Sequence, residues 1–335
     1  MGDTPWQGDA CSLVEEFRSG RRSPLEELDA SYAAIDASSL NAFSYLPREQ
    51  ARRAAETADV SKPFGGVPIG VKELDAVEGW PETHASVPFR DRIADYTGVM
   101  VQRIRDVGGA VLAGQTTASE FGGVNLTRTV LHGTTHNPWQ FDRTRGGSSG
   151  GTAAAVSGGL VTIATGGDGG GSIRIPAGFT GLVGLKATIG RIPLGPRAQY
   201  GNLTVTIGCL SRSVRDTARW FDVSNGFDAR DPLSLPRVEG WEAGLGSHLD
   251  ALRGARVAVV PTWGNSTVSP VMWELLDEAA TLLIADNGMV RVDGVDTELP
   301  RMGAAWSISG ALGIEALLGD LWPDCADQLT PEMRY

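Results

Sequence analysis

Two glycine-framed serine clusters mark the stretch of the sequence best suited to chemistry. They lie in residues 145–188, which read RGGSSGGTAAAVSGGLVTIATGGDGGGSIRIPAGFTGLVGLKAT and contain Ser148 with Ser149 in one cluster and Ser172 in the other. Glycine on both sides of a serine permits backbone conformations that other residues avoid, so the hydroxyl can be exposed and neighbouring N–H groups can point at one atom. Two such serines indicate chemistry in this stretch.

The same stretch has two competing interpretations. Its composition is typical of a flexible Gly/Ser linker, but residues 153–156 favour a short helix and residues 160–164 favour a buried strand, an alternation that a linker would not show. The segment GGSSGG also resembles an anion-binding loop before a helix. No lysine follows it in the Walker pattern GxxxxGK[ST], yet a phosphate-binding loop stays open as an alternative.

A candidate base comes from the scarcity of lysine. Of the 29 basic residues only Lys62, Lys72 and Lys186 are lysines. Lysine, unlike arginine, can lose its proton when it is buried. Lys72 ends an apolar segment that predicts a short buried strand, with Gly70 and Lys72 on the same face. We interpret Lys72 as the base, and a lysine that reaches solvent from a strand edge is the competing interpretation.

The histidines and cysteines show no metal-binding pattern. We interpret His84 as a loop histidine that nothing orients, and His132 and His136 as parts of a loop without metal-ligand spacing. The cysteines are Cys11, Cys209 and Cys325. Their odd number and the lack of a CxxC motif indicate reduced structural thiols. We expect neither a metal nor a cofactor.

Composition narrows the class of protein further. A chain of 335 residues forms one large domain or two ordinary ones. Its net charge of −11, without a basic patch interleaved with aromatic residues, argues against nucleic-acid binding. The N-terminus has no signal-peptide pattern, and the longest apolar tract, residues 304–322, contains Glu315 and Asp320. We therefore expect a cytoplasmic protein that does not bind a membrane.

Helical and strand patterns alternate along the chain. Ser23, Pro24 and Glu26 form a capping-box signature that opens a helix to about residue 35. Further helices are predicted at residues 9–19, 96–105, 213–223, 270–286 and from about 300, and strands up to Lys72 and at residues 108–114, 160–164, 255–260 and 289–292. This order predicts an α/β fold with a largely parallel sheet covered by helices on its faces.

Several segments taken together resemble the amidase signature family of serine amidohydrolases. They are GGVPIGVKE, GGSSGGTAAA, GGDGGGSIRIPAGFTGLVGLKAT and SVRDTARWFDV, and they span most of the chain. DGGGSIRIP followed by GRIPL is similar to the branch of cyclic amide and nylon-oligomer hydrolases. The resemblance implies a large mixed, mostly parallel sheet under helices on both faces. It also implies one amidase domain over residues 1–335, with an N-terminal helical segment (1–60), a catalytic core (61–225) and a C-terminal α/β part (226–335).

The resemblance also assigns roles to residues. It implies Ser172 as the nucleophile, Ser148 as a bridging serine in a cis peptide after Gly147, and Lys72 as the base. The implied oxyanion hole consists of the backbone N–H groups of Gly169, Gly170, Gly171 and Ser172. The implied supporting residues are Gly147, Ser149, Asp168 and Arg174, of which the last two pair to brace the loop.

The implied activity is hydrolysis of a carbon–nitrogen amide bond in a small-molecule substrate through an acyl-enzyme on Ser172. Family members continue beyond the point that matches Tyr335, so we expect a chain that is truncated at its C-terminus. The alternatives are a catalytically impaired truncated amidase and an amidotransferase-type subunit that acts with a partner. The sequence does not determine the substrate, and it does not decide whether the protein forms a homodimer.

Overall fold

The structure, a computed structural model, describes residues 4–198, 203–262, 267–295 and 303–334. The chain divides into two compact units. The larger unit comprises Met1–Glu242 and Ser309–Tyr335, and the smaller comprises Ala243–Ile308. The single domain with three segments that we predicted stays a prediction, and each unit is described here by itself.

The larger unit contains the sheet and the helices that position the candidate site. Its described residues form strands β1 (Phe43–Tyr45), β2 (Pro68–Lys72), β3 (Val111–Thr116), β4 (Arg128–Thr129), β5 (Gly133–Thr134), β6 (Ile163–Asp168), β7 (Val183–Gly184) and β8 (Thr206–Ser211). They also form helices α1 (Ala10–Arg18), α2 (Pro24–Ala37), α3 (Arg48–Glu56), α4 (Val99–Asp106), α5 (Gly150–Ser157), α6 (Arg174–Thr180) and α7 (Val214–Ser224).

Six of these strands form one mixed sheet in the order β1-β3-β2-β6-β8-β7. The three central strands β3, β2 and β6 are parallel, whereas β1, β8 and β7 pair antiparallel to their neighbours. Lys72 lies opposite Thr116, and Ile69 lies opposite Ile163. Because parallel strands end at the same edge of a sheet, Lys72 and the loop after β6 come close together. The predicted α/β class is confirmed.

Helices cover both faces of this sheet, as predicted. On one face, side chains from four strands pack into a core with α1, α4 and α7; they are Ile69, Leu112, Ile163 and Cys209. On the other face, Val111 and Ala113 pack against Leu28 of α2 and Ala51 of α3, while Ala164 packs against α5. This is the alternation of side chains expected for a buried strand.

Local signals determine several helix ends correctly. Ser23 accepts a hydrogen bond from the backbone N–H of Glu26, whose carboxylate accepts one from the Ser23 N–H, so the predicted capping box opens α2. Asp9 caps α1 and Ser213 caps α7 through the same kind of side-chain acceptor. These three helix starts are therefore confirmed.

Other boundaries are shifted. The strands predicted at residues 108–114 and 160–164 are β3 and β6, and each begins three residues later. The reason is that the residues before each strand still close the preceding helix: Ala110 N–H donates to Ile104 O and Leu160 N–H donates to Ala155 O. Similarly, α4 begins at Val99 because Gly98 occupies its N-cap position in an extended conformation.

The smaller unit contains β9 (Arg256–Val257), α8 (Pro270–Asp286) and β10 (Val290–Arg291), with β9 and β10 parallel. Helix α8 matches its predicted bounds. The predicted buried strand at residues 255–260 is wrong, because β9 is two residues long and none of those six residues is buried. Its apolar pattern is that of a central strand, but β9 pairs with β10 alone in a two-stranded sheet.

Helix α9 (Gly303–Leu318) begins with residues of the smaller unit and ends with residues of the larger one. We predicted a helix from about residue 300, and residues 296–302 lie outside the described part. Within the described residues, no helix has both the length and the hydrophobicity that crossing a membrane requires.

Candidate active site

Lys72 lies at the carboxyl end of β2 and is buried, with 2% of its surface exposed. Its Nζ donates a hydrogen bond of 2.8 Å to Ser148 Oγ, and its backbone N–H donates one of 2.7 Å to Thr165 Oγ1 on β6. Burial lowers the pKa of Lys72 to about 8, against the opposing charges of Asp75 and Asp168. The side chain therefore has an accessible neutral form near neutral pH, as a general base needs.

Ser148 lies in the loop that leads into α5. The peptide bond between Gly147 and Ser148 is cis, as the resemblance implies. A Cβ at Gly147 would lie 2.8 Å from Leu126 N, and one at Gly151 would lie 2.4 Å from Thr117 N. Glycine is required at both positions because the loop lies directly against the backbone of neighbouring segments. The close contact holds Ser148 beside Lys72.

The loop after β6 carries Ser172, which is 7% exposed. The fully buried Asp168 carboxylate organises this loop. It accepts hydrogen bonds from the backbone N–H of Gly171 (2.8 Å) and from Nε and Nη2 of Arg174 (2.9 Å each), with longer bonds from the N–H of Ile173 and Arg174. Burial raises the pKa of Asp168, but these hydrogen bonds outweigh it and the pKa lies below its ordinary value. The carboxylate is therefore ionised and braces the loop.

The backbone N–H groups of this loop are not equivalent. Gly171 donates to Asp168, and its φ of +121° is a conformation that favours glycine. The N–H groups of Gly169, Gly170 and Ser172 donate to no acceptor within the described residues. Three of the four predicted oxyanion donors are therefore available to a ligand, and the fourth is used to shape the loop.

Ser148 and Ser172 are not joined by a continuous relay of hydrogen bonds among the described residues. Among the described residues, no hydrogen bond joins Ser148 Oγ to Ser172 Oγ. Ser149, on the same loop as Ser148, donates to Gly167 O of β6 over 3.5 Å. Catalytic hydrogen bonds are often long before substrate binds and shorten in the complex. The arrangement thus holds Ser148 against Lys72 and Ser172 in a braced loop.

Asp75 belongs to the site, although the sequence analysis missed it. Its carboxylate accepts a hydrogen bond from Thr165 Oγ1, the same hydroxyl that accepts the N–H of Lys72. Burial raises the pKa of Asp75, and the bond from Thr165 and the charge of Lys72 oppose this shift. Its spacing of three residues from Lys72 was the available signal, and Thr165 contributes from a different strand.

A second missed feature is the pair formed by Glu73 and His132. His132 Nε2 lies 2.6 Å from Glu73 Oε1, and Thr83 Oγ1 also donates to this buried carboxylate. His132 lies in the turn between β4 and β5, in agreement with the predicted loop, and its ring also contacts the side chain of Glu73, the residue after Lys72. Glu73 and His132 are 59 residues apart, so no local pattern joins them.

His84 and His136 lie outside this arrangement. Burial lowers the pKa of His84 to about 4, and its ring packs edge-on against Phe89. The ring of His136 stacks on Phe141 at 3.7 Å. Neither ring makes a contact that would orient it as a base toward Ser172.

The turn beside Ser148 is tied to the C-terminal part of the larger unit. Glu120 is buried, and its carboxylate accepts hydrogen bonds from Ser86 Oγ (2.7 Å), Thr330 N–H (2.7 Å) and Thr330 Oγ1 (2.6 Å). Gly122 lies in the same turn, and a Cβ there would be 3.4 Å from Ser148 Oγ. Glu120 therefore links residue 330 to the wall of the site.

One group of possible metal ligands lies elsewhere, formed by Asp9, Cys11 and Asp216. Its carboxylate oxygens already accept hydrogen bonds. Asp9 accepts from Ser12 N–H and Ser213 Oγ, and Asp216 accepts from the N–H groups of Ala10 and Cys11. Both acids accept hydrogen bonds from backbone N–H groups at the start of α1, and Asp9 also accepts one from Ser213, the N-cap residue of α7, so we interpret the group as structural.

Comparison with known proteins relates the chain to one family. The family model Amidase matches residues 26–316. An acylamidase from Rhodococcus erythropolis is 39% identical over 272 residues, which cover 78% of this chain and 56% of the relative. A glutamyl-tRNA(Gln) amidotransferase subunit from Methanococcoides burtonii is 35% identical over 237 residues, which cover 70% of this chain and 49% of the relative. The chain therefore spans about half the length of these curated relatives.

Solved structures share the fold over nearly the whole chain. A bacterial aryl acylamidase of the amidase signature family superposes with a TM-score of 0.87 at 30% identity, covering 97% of this chain and 71% of the other. A 6-aminohexanoate cyclic dimer hydrolase has a TM-score of 0.87 at 30% identity, covering 98% and 71%. The predicted resemblance is confirmed: with the family model matched over most of its length and the fold shared with these enzymes, the chain belongs to the amidase signature family.

Proposed function

We propose that the protein hydrolyses a carbon–nitrogen amide bond through an acyl-enzyme on Ser172. The observation that supports this most directly is the buried hydrogen bond from Lys72 to Ser148, together with the lowered pKa of Lys72. Neutral Lys72 takes the proton of Ser148 while Ser148 takes the proton of Ser172, whose Oγ attacks the carbonyl carbon of the amide. Attack forms a C–O bond and a tetrahedral oxyanion.

The braced loop then stabilises the charge that develops. The N–H groups of Gly169, Gly170 and Ser172 donate to the oxyanion, and one such donor contributes about 3–4 kcal/mol in the transition state. The proton held by Lys72 returns through Ser148 to the amide nitrogen as the C–N bond breaks and the amine leaves. Water, deprotonated by the same route, then cleaves the ester and restores Ser172.

The names of the relatives support an amide as substrate. An acylamidase, an aryl acylamidase and a cyclic dimer hydrolase all share this fold or sequence. We propose a small-molecule amide, linear or cyclic, as the substrate class. The cytoplasmic location, the lack of nucleic-acid and membrane partners, and the homodimer remain predictions from the sequence.

The proposal is tested with a fluorophosphonate, which labels activated serines. Intact mass and peptide mapping should find one adduct, on Ser172, that is absent in Ser172→Ala and weaker in Ser148→Ala and Lys72→Ala. Ser157→Ala is the matched control, because Ser157 lies at the end of α5 and its Oγ donates to Ala153 O. A folded protein that takes up no label would contradict the proposal.

An amidotransferase component that acts with a partner is the second candidate. The relative from Methanococcoides burtonii is named as such a component, and α8 exposes apolar side chains suited to contact with another protein, namely Leu275, Leu276, Leu282 and Leu283. This candidate predicts that ammonia is released from glutamine only in the presence of a co-purified partner protein. Hydrolysis of simple amides by the isolated chain favours the first function. If the chain binds a partner but is not labelled by the fluorophosphonate, the result favours the remaining alternative, a catalytically impaired amidase.

A further inference from the structure

A cavity of about 330 Å³ lies beside the loop that leads to Ser148. Its lining includes Arg128, His136, Asp142, Arg143 and Arg145. Three arginines and one aspartate make this lining cationic, although the whole chain carries a net charge of −11. A cationic cavity in an acidic protein favours an anionic ligand.

Arg145 is the unusual member of this lining. It is 2% exposed, yet its Nε and Nη2 donate no hydrogen bond. Arg219, which is also buried, donates to both carboxylate oxygens of Glu242 and to Pro63 O. A buried guanidinium without acceptors destabilises a fold, so unsatisfied donors of this kind point to a partner that is not part of the chain.

The unsatisfied atoms form one edge of the guanidinium. The corresponding edge of Arg174 holds the two oxygens of Asp168 at 2.9 Å each. Carboxylate and phosphate groups fit this pair of donors geometrically. Within the described residues, Arg145 forms no ion pair, and Arg128 is already paired with Glu332 at 2.5 Å.

Electrostatics leave Arg145 charged at neutral pH. Burial, followed by repulsion from Arg128, lowers its pKa to about 10. The groups facing it from the cavity are the cation Arg128, the exposed Arg143, His136 and the exposed Asp142. The positive charge is therefore present and uncompensated under physiological conditions.

We propose that this cavity is a binding site for a small oxyanion, a carboxylate or a phosphate group, held by the guanidinium of Arg145. The exposed Arg143 adds another positive charge to the same lining. Binding at this site is non-covalent and does not depend on the proposed hydrolysis.

The binding test uses the full chain and inorganic phosphate or acetate, with chloride at the same ionic strength as reference. Saturating phosphate or acetate should raise the Tm of the wild type by about 2 °C. Arg145→Met should show no such rise and at least about tenfold weaker binding by calorimetry. Arg90→Gln, a control at an exposed arginine outside the cavity, should keep the full affinity.

Two results would overturn the proposal. One is an equal Tm rise in the wild type and Arg145→Met, and the other is the lack of any rise with either anion. Arg145→Met should fold, since the substitution removes unsatisfied donors. In chloride its Tm should therefore equal or exceed that of the wild type.

A second experiment distinguishes a free anion from a carboxylate carried by the substrate as the ligand of this site. It rests on the proposed function. The kcat/KM of a neutral amide is compared with that of the same amide bearing a carboxylate. A loss of tenfold or more in Arg145→Met for the carboxylate compound alone identifies the substrate as the source. Unchanged kcat/KM for both, with phosphate binding lost, identifies a free anion. If no amide is hydrolysed, the proposed function fails while the binding test still decides this site.

Discussion

Lys72 Nζ donates to Ser148 Oγ over 2.8 Å, so a strand end and a loop that are 76 residues apart meet at one buried hydrogen bond. The contact depends on the sheet, because β2 and β3 run parallel and end at the same edge, and the N–H of Ser119, just after β3, donates to Ser148 O. It also depends on glycine, because Gly147 and Gly151 let the loop approach neighbouring backbone. A buried lysine thereby contacts a loop serine, as the proposed mechanism requires.

The activity should rise with pH if Lys72 is the base. Burial lowers the pKa of Lys72 to about 8, and only the neutral amine accepts a proton. We expect kcat/KM to rise about tenfold per pH unit well below pH 8 and to level off above about pH 9. Stopped assays from pH 6 to pH 9.5 measure this. A flat or falling profile over that range would contradict the assignment.

Burial of Lys72 should lower the free energy of unfolding. The pKa of Lys72 falls from 10.5 to about 8 on folding, which corresponds to about 3 kcal/mol against the charged form. This cost is present below pH 8 and disappears as pH rises to 10.5, because the unfolded chain then also loses the proton. Lys72→Met should therefore raise the free energy of unfolding at pH 7 by up to about 3 kcal/mol and abolish activity.

Denaturant unfolding of Lys72→Met at pH 7 and pH 10 measures this effect, and the gain should be smaller at pH 10. Lys62→Met is the matched control, because Lys62 Nζ donates to Asp106 O at an exposed position. Its effect should stay within about 0.5 kcal/mol. A Lys72→Met protein less stable than the wild type at both pH values would show that the lysine is not strained by burial.

Replacing Asp168 should lower activity and the free energy of unfolding more than replacing its partner Arg174. Asp168 is fully buried and accepts from three backbone N–H groups as well as from Arg174, whose side chain is half exposed. Asp168→Asn should lower kcat/KM about 100-fold and the free energy of unfolding by about 3 kcal/mol. Arg174→Gln leaves the backbone bonds in place, and we expect a loss under about 1 kcal/mol. Equal effects of the two changes would mean that the ion pair, not the backbone bracing, shapes the loop.

The sequence predicts those parts of the fold that depend on neighbouring residues. The capping box joins Ser23 to Glu26, three positions further along the chain, and the strand ending at Lys72 shows in its own alternation, so both were found. The predicted strand at 255–260 failed because its apolar residues resemble a central strand, whereas β9 has one partner strand. Burial of that kind depends on which elements lie on each side, and the local pattern does not contain it.

The site was predictable to the same degree. Lys72, Ser148 and Ser172 stand out by rarity and by flanking glycines, which are local signals. Glu73 with His132, and Arg145 without an acceptor, acquire their meaning only from contacts across the fold. The sequence does not reveal that two residues 59 positions apart form a hydrogen bond. It also does not reveal that a buried arginine lacks an acceptor.

The contact between Glu120 and Thr330 should stabilise the C-terminal part of the larger unit and the turn beside Ser148. Thr330→Val removes the bond from Thr330 Oγ1 but keeps the one from its backbone N–H, so we expect a loss of about 1–2 kcal/mol. Hydrogen exchange should increase in residues 319–334 and in the turn at Gly122, because Glu120 joins the two. Glu332→Gln, which breaks an exposed ion pair with Arg128, should cost under about 0.5 kcal/mol. If exchange increases near residue 330 alone, the turn holds Ser148 without help from Thr330.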